Sequence, residues 1–282
     1  MGVHIIDYHI HTSHSPDAEG SLRDYCEKAA ARGLNEICFT NHAEMDPERN
    51  DNIIRFEGRE EPLTNEALKR LHHEVMAQRD AFGTSGLKVR SGIEIGFFSG
   101  MEKRLAEMTS GIEYDFLMGS IHCLDHACID SSREYRGYFS KHGARELLDV
   151  YYEEILKLAE SRLFDAMGHI DVYKKYGINF YGPEVDYLPR DLMAAIFDAL
   201  RRHGLALEIN AAGLRRIDQF YPSPEIMKLA RDLKVERLTV GSDCHKVDDL
   251  GKGIKEACEY AKSFGFSRVF TFEKRKPIIV NI

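Results

Sequence analysis

Short, mostly apolar runs recur along the chain, and the stretches between them space their apolar residues as amphipathic helices do. The runs are VHIIDYH, NEICFTNHA, LKVRSGIEIGF, DFLMGSIHC, LFDAMGHID, LALEINAAG and RLTVGSDCH, and a shorter RVFTFE closes the series. Each is nearly continuous in apolar residues, which predicts parallel strands buried on both faces. Between them, SLRDYCEKAAARG offers Ser21 as an N-cap, Asp24 three residues on and Gly33 as a stop. LLDVYYEEILKLAES has helical spacing, and SPEIMKLARDL opens with Ser223 as cap and Pro224 at the first helical position. Strand and helix alternate throughout, so the pattern predicts a parallel α/β architecture. No low-complexity tract or linker interrupts it, and residues 1–282 read as a single domain. The exception is Met45–Pro62, MDPERNDNIIRFEGREEP, which is highly charged and without period. It predicts a long loop between the second strand and its helix, of the kind that serves as a lid or binding loop.

Composition narrows the function. Of 282 residues, 43% are hydrophobic and 30% charged, as in a globular protein with a real core. A net charge of −8 gives no footprint for nucleic acid. No apolar run reaches the roughly 18 residues of a membrane span, and the start lacks the basic-then-apolar plan of a signal peptide. A cytoplasmic protein is expected. None of the six cysteines forms a CxxC pair, and in a reducing compartment disulfides are not expected. Cys123 and Cys244 each adjoin a histidine and could be metal ligands, but read more readily as small residues filling space beside a site.

The chemistry gathers where the runs end. The first ends in His9 and His11, with Asp17 just beyond. The second ends in His42, the third in Glu94 and the fourth in His122. The fifth ends in His169 and Asp171, the sixth in Glu208, Asn210 and Arg215, and the seventh in Asp243 and His245. In a parallel barrel all strand C-terminal ends lie on one face, where such folds build their sites. His9 and His11 are two apart, so on a strand both point the same way, and Asp243 and His245 repeat that spacing. Six of thirteen histidines sit at predicted strand ends. With Asp17, Glu94 and Asp243 they make nine ligand-type residues, too many for one tetrahedral ion. The set suits two or three divalent ions sharing a bridging carboxylate, and imidazole with carboxylate suits zinc, manganese or iron.

DYHIHTSHSPDA, TNHA, GIEIG, GSIH, GHID and GSDCH resemble, in order, the motifs of the polymerase and histidinol phosphatase (PHP) superfamily. The resemblance implies a distorted (β/α)7 barrel, in agreement with the seven runs. GSIHCLDHACID and EINAAGLR are further similar to segments of the PHP-type histidinol-phosphatases of histidine biosynthesis. It implies a first metal held by His9, His11, Glu94 and Asp243, a second by Glu94, His122 and His169, and a third by Asp17, His42 and His245. It also makes Arg215 a phosphate-binding arginine, and Lys174 or Lys175 is a candidate second cation.

The implied reaction is hydrolysis of a phosphate monoester, most readily L-histidinol phosphate. Metal-activated water would attack phosphorus, Arg215 would clamp the phosphoryl group, and Asp17, His245 or a metal-bound water would serve the leaving group. Asp171, Glu208 and the acidic Met45–Pro62 loop are candidates to meet the substrate amine. Two alternatives stay open: another substrate, such as phosphotyrosine or a nucleotide, and a non-catalytic metal-binding domain.

Overall fold

The computed structural model describes residues 4–282; Val3, in the first predicted strand, lies outside the described residues. Seven parallel strands form the frame: β1 (Ile6–Ile10), β2 (Glu36–Phe39), β3 (Lys88–Gly96), β4 (Phe116–Ser120), β5 (Ala166–Met167), β6 (Ala206–Asn210) and β7 (Leu238–Gly241). They are neighbours in that same order. His11 N–H donates to Cys244 O at 3.0 Å, and a parallel bridge between Ile10 and Cys244 brings the two edges together into a nearly closed barrel. Every residue of β1, β2, β4, β6 and β7 is buried, which explains their mainly apolar character.

The helices pack outside and carry the expected stops. Ser21 and Asp24 make a reciprocal capping box at the helix Leu22–Arg32, and Gly33 ends it in the left-handed conformation. Ser223 departs from expectation. Its side chain makes no cap hydrogen bond, and its N–H instead donates to the buried Asp171 Oδ2 at 2.9 Å.

Two regions differ from the sequence pattern. Met45–Pro62 is not an unstructured loop: Ile53–Phe56 pairs antiparallel with Arg59–Pro62. Glu57 and Gly58 both take positive φ in the two-residue turn, and Ile54 and Phe56 alternate into the core. The charges hid that alternation. The run RVFTFE is not a barrel strand either. Among the described residues Arg268–Glu273 pairs only with Lys276–Asn281, and this hairpin covers the N-terminal end of the barrel. There the buried Tyr8 hydroxyl lies 2.5 Å from Glu36 Oε1 and accepts from Phe272 N–H at 2.9 Å. The opposite end, where the strands finish, is left for the site. Among the described residues no helix is long and apolar enough to cross a membrane.

Candidate metal centre

Glu94, near the end of β3, is fully buried and divides its two oxygens between two groups of imidazoles. Oε2 faces His42 Nδ1 at 2.9 Å, His9 Nε2 at 3.3 Å and His11 Nε2 at 3.5 Å. Oε1 faces His169 Nε2 at 3.0 Å and His122 Nε2 at 3.3 Å, and accepts from Ser120 Oγ at 2.6 Å. Asp243 Oδ1 stands 3.4 Å from His11 Nε2 and 3.8 Å from His9 Nε2. On the open side, Asp17 Oδ2 lies 3.3 Å from His245 Nε2 and 3.8 Å from His42 Nε2. All nine ligand-type residues therefore converge on one mouth.

The arrangement fits divalent ions. His9 Nε2, His11 Nε2, His42 Nδ1 and Glu94 Oε2 are buried with no hydrogen-bond partner among the described residues. Orphaned buried atoms of this kind are costly unless something else satisfies them. Four trios, one of them His42, Glu94 and His122, offer ligand atoms within 4.8 Å of one another.

A second layer of carboxylates orients the imidazoles. His9 Nδ1 pairs with Glu208 Oε1 at 2.6 Å, and His122 Nδ1 with Glu44 Oε1 at 2.6 Å. Such partners fix the ring and leave the other nitrogen for a metal. Two glycines make room for them. A Cβ on Gly241 would overlap His9 and the Glu208 carboxylate, and one on Gly96 would overlap the Glu44 carboxylate.

The electrostatics without ions show how strongly these groups depend on opposite charge. Burial opposes charge on Glu94, yet His9, His122 and His42 hold its carboxyl well below the usual range. Burial likewise opposes a charged His42, but Asp17 and Glu94 raise it to about 9. His11 is pushed the other way, by burial and by the neighbouring His42 and His245.

The other predicted contacts divide. Lys175 reaches the mouth: its Nζ lies 3.5 Å from Asp130 Oδ2, and Asp243 also acts on it. Lys174 is buried and turned to Asp186 Oδ1 at 2.7 Å, because successive residues on a helix point about 100° apart. Arg215 donates through Nη2 to the carbonyls of Ser242 at 2.7 Å and Asp243 at 3.1 Å, bracing the end of β7. Asp171 and Glu208 are fully buried and engaged, Asp171 by Ser223 N–H and Glu208 by His9, so neither is free to meet a substrate amine. His14 is occupied by Glu74 and Thr12. Sequence reasoning missed Glu44, Asp130 and Arg216. Arg216 sits within electrostatic reach of Lys175 and Tyr221, and its place beside Arg215 was its only signal.

Residues 7–212, most of the barrel and six of its strands, match the PHP domain model. The chain belongs to the PHP domain family. Among its PHP relatives is the probable histidinol-phosphatase of Deinococcus radiodurans, 30% identical over 275 residues, covering 96% of this chain and 98% of that protein. The histidinol-phosphatase of Bacillus subtilis is 26% identical, covering 87% of this chain and 95% of that one. The PHP fold of this chain is similar to the crystal structure of histidinol phosphate phosphatase from Lactococcus lactis, complexed with zinc, L-histidinol and phosphate. Their TM-score is 0.78 at 22% identity, over 98% of this chain and all of that one.

Proposed function

We propose that this PHP chain is a metal-dependent phosphomonoester hydrolase that converts L-histidinol phosphate and water to L-histidinol and phosphate. The observation that carries the hydrolase is Glu94, whose two oxygens face two separate groups of imidazoles. The histidinol-phosphatase names of relatives aligned over nearly the whole chain support the substrate. Two or three divalent ions fit the donors: one at His9, His11, Glu94 and Asp243, one at Glu94, His122 and His169, and one at Asp17, His42 and His245. The histidine and carboxylate donors suit zinc, manganese or iron.

Bound ions would supply the positive charge that offsets a phosphoryl group and acidifies water near neutral pH. The chain's own residues do the rest. Glu208 and Glu44 keep His9 and His122 in one orientation. Lys175 presents a cation at the mouth, steadied by Asp130, and Arg215 holds the end of β7 in place while lying next to the phosphoryl position. Asp17 is the most exposed of the nine, at 61% of its side chain, and stands against His245. This pair faces the open side of the site, where a water that it orients would give the leaving alcohol its proton.

The deciding measurement compares kcat/KM for L-histidinol phosphate and p-nitrophenyl phosphate on one metal-loaded sample. Contacts remote from phosphorus should favour the former by at least about a hundredfold, roughly 2.7 kcal/mol of transition-state binding. Equal values would remove the histidinol assignment and leave the hydrolase.

A further inference from the structure

The segment just after His122 carries two thiols that the proposed hydrolysis does not use. Cys123–Leu124 pairs antiparallel with Ala127–Cys128. Asp125 and His126 join them with φ of 46° and 62°, as in a type I′ two-residue turn. Next to such a turn, Leu124 and Ala127 are a hydrogen-bonded pair, and two residues further along Ile129 N–H donates to His122 O at 2.9 Å. Pairs alternate along an antiparallel ladder, so Cys123 opposite Cys128 is a non-hydrogen-bonded pair. In that position Cα atoms stand about 4.5 Å apart with both side chains on one face, within the roughly 4.4–6.8 Å that a disulfide spans. The two thiols are also the accessible ones: Cys26, Cys38, Cys244 and Cys258 are buried, whereas Cys123 and Cys128 are half-buried.

This pair is wired to the mouth of the site. Cys128 Sγ–H donates to Asp130 Oδ1 at 3.0 Å, and Asp130 Oδ2 faces Lys175 Nζ at 3.5 Å. Asp130 thus divides its interactions between a thiol and the cation that the proposed function places near the substrate.

We propose that Cys123 and Cys128 are a redox modification site, closed reversibly to a disulfide by low-molecular-weight disulfides, and that closure weakens binding of the phosphate monoester. One protein thiolate attacks a sulfur of the small disulfide and expels one small thiolate, leaving a mixed disulfide. The second protein thiolate attacks the protein sulfur of that bond and expels the other small thiolate. The protein pair loses two electrons and two protons, and the small disulfide becomes two thiols. Closure removes the Cys128 donor from Asp130, whose charge then falls more fully on Lys175 and draws that cation away from the phosphoryl group. The effect on binding rests on the proposed phosphatase reading; the disulfide itself does not.

The test treats the metal-loaded chain with oxidised glutathione. Two of the six thiols should disappear, the mass should fall by about 2 Da with no glutathione retained, and fragments cut before Asp125 should stay joined until reduced. KM for the phosphate ester should rise at least about threefold with a smaller change in kcat, and dithiothreitol should reverse both. Cys128→Ser keeps a donor for Asp130, so its KM should equal that of untreated wild type both before and after oxidant, with no thiol pair lost. Six titratable thiols after treatment, a persistent glutathione adduct, or the same KM rise in Cys128→Ser would overturn the proposal. A clean disulfide with unchanged KM would overturn the coupling through Asp130. Thiol count and mass need no turnover, so failure of the pair is distinguishable from failure of the phosphatase reading.

Discussion

His9 Nδ1 and Glu208 Oε1 lie 2.6 Å apart, both fully buried, and link β1 to β6 past Gly241 of the intervening β7. The other Glu208 oxygen accepts from His169 N–H at 2.8 Å, so one carboxylate ties the first, fifth and sixth strands together behind the site. It holds His9 with the proton on Nδ1 and leaves Nε2 turned to Glu94. Glu208→Gln keeps the shape but weakens this hold, and should lower metal affinity or turnover by about 10- to 100-fold. Metal retained after desalting, measured beside kcat/KM, checks it; wild-type values for both would make Glu208 a packing residue.

Glu94→Gln should be more severe. The amide cannot offset the charge of two cations, and its nitrogen would point a donor at one group of ring nitrogens that ligation requires to accept nothing. The variant should lose bound metal and nearly all turnover while keeping its far-UV circular dichroism. Elemental analysis showing wild-type metal content, with a wild-type rate, would place Glu94 outside the chemistry.

Removing the metal should have the same consequence without mutation. The four orphaned buried atoms at His9, His11, His42 and Glu94 are the reason to expect it. Exhaustive chelation should abolish hydrolysis, and adding back zinc, manganese or iron should restore it with two or three ions per chain. A fully active chain without metal would refute the site.

Arg215 tests the rim. Hydrogen bonds to a charged group contribute roughly 1.5–3 kcal/mol, so Arg215→Ala should lower kcat/KM by about 10- to 150-fold. Its recorded hydrogen-bond partners are backbone carbonyls of Ala211, Ser242 and Asp243 rather than ligand side chains, so metal content should stay at the wild-type level. Unchanged kinetics would reduce Arg215 to a brace for the chain end of β7.

Arg90 separates stability from chemistry. At the far end of the barrel its Nε meets the buried Glu36 at 2.7 Å, and its Nη2 meets Glu273 at 3.1 Å. Arg90→Ala leaves the buried Glu36 with only the Tyr8 hydroxyl and the distant Lys88 ammonium at 3.9 Å, which should destabilise the fold by about 3 kcal/mol. Urea titration reads the loss, and kcat on the folded variant at low temperature should match wild type. A loss below about 1 kcal/mol would mean that water or a closer approach of Lys88 offsets the Glu36 charge instead.

Much of this molecule is local and therefore readable along the chain. A strand buried on both faces is apolar over most of its length, so the seven barrel strands announce themselves. A polar residue at the end of such a run has only the barrel rim to occupy, and the two-residue period turns His9 with His11 to one side. That is why all nine ligand-type residues could be named in order. What lies between strands could not. Glu208 stands behind His9, and Glu44 behind His122, only because of how the barrel closes and how its strands are registered, with His42 directly opposite Glu94. Lys174 and Lys175 look equivalent in sequence, and helical phase alone sends one to Asp186 and the other to the mouth. The charges of Met45–Pro62 concealed a hairpin, since alternation over four residues is too short to stand out from them. RVFTFE has the composition of a barrel strand, but its partner is the adjacent strand of a hairpin that covers the barrel's far end. Apolar period and residue type are properties of a segment, and the segment states them. Pairing, register and the carboxylate behind each imidazole are properties of two segments brought together, and only the folded chain decides them.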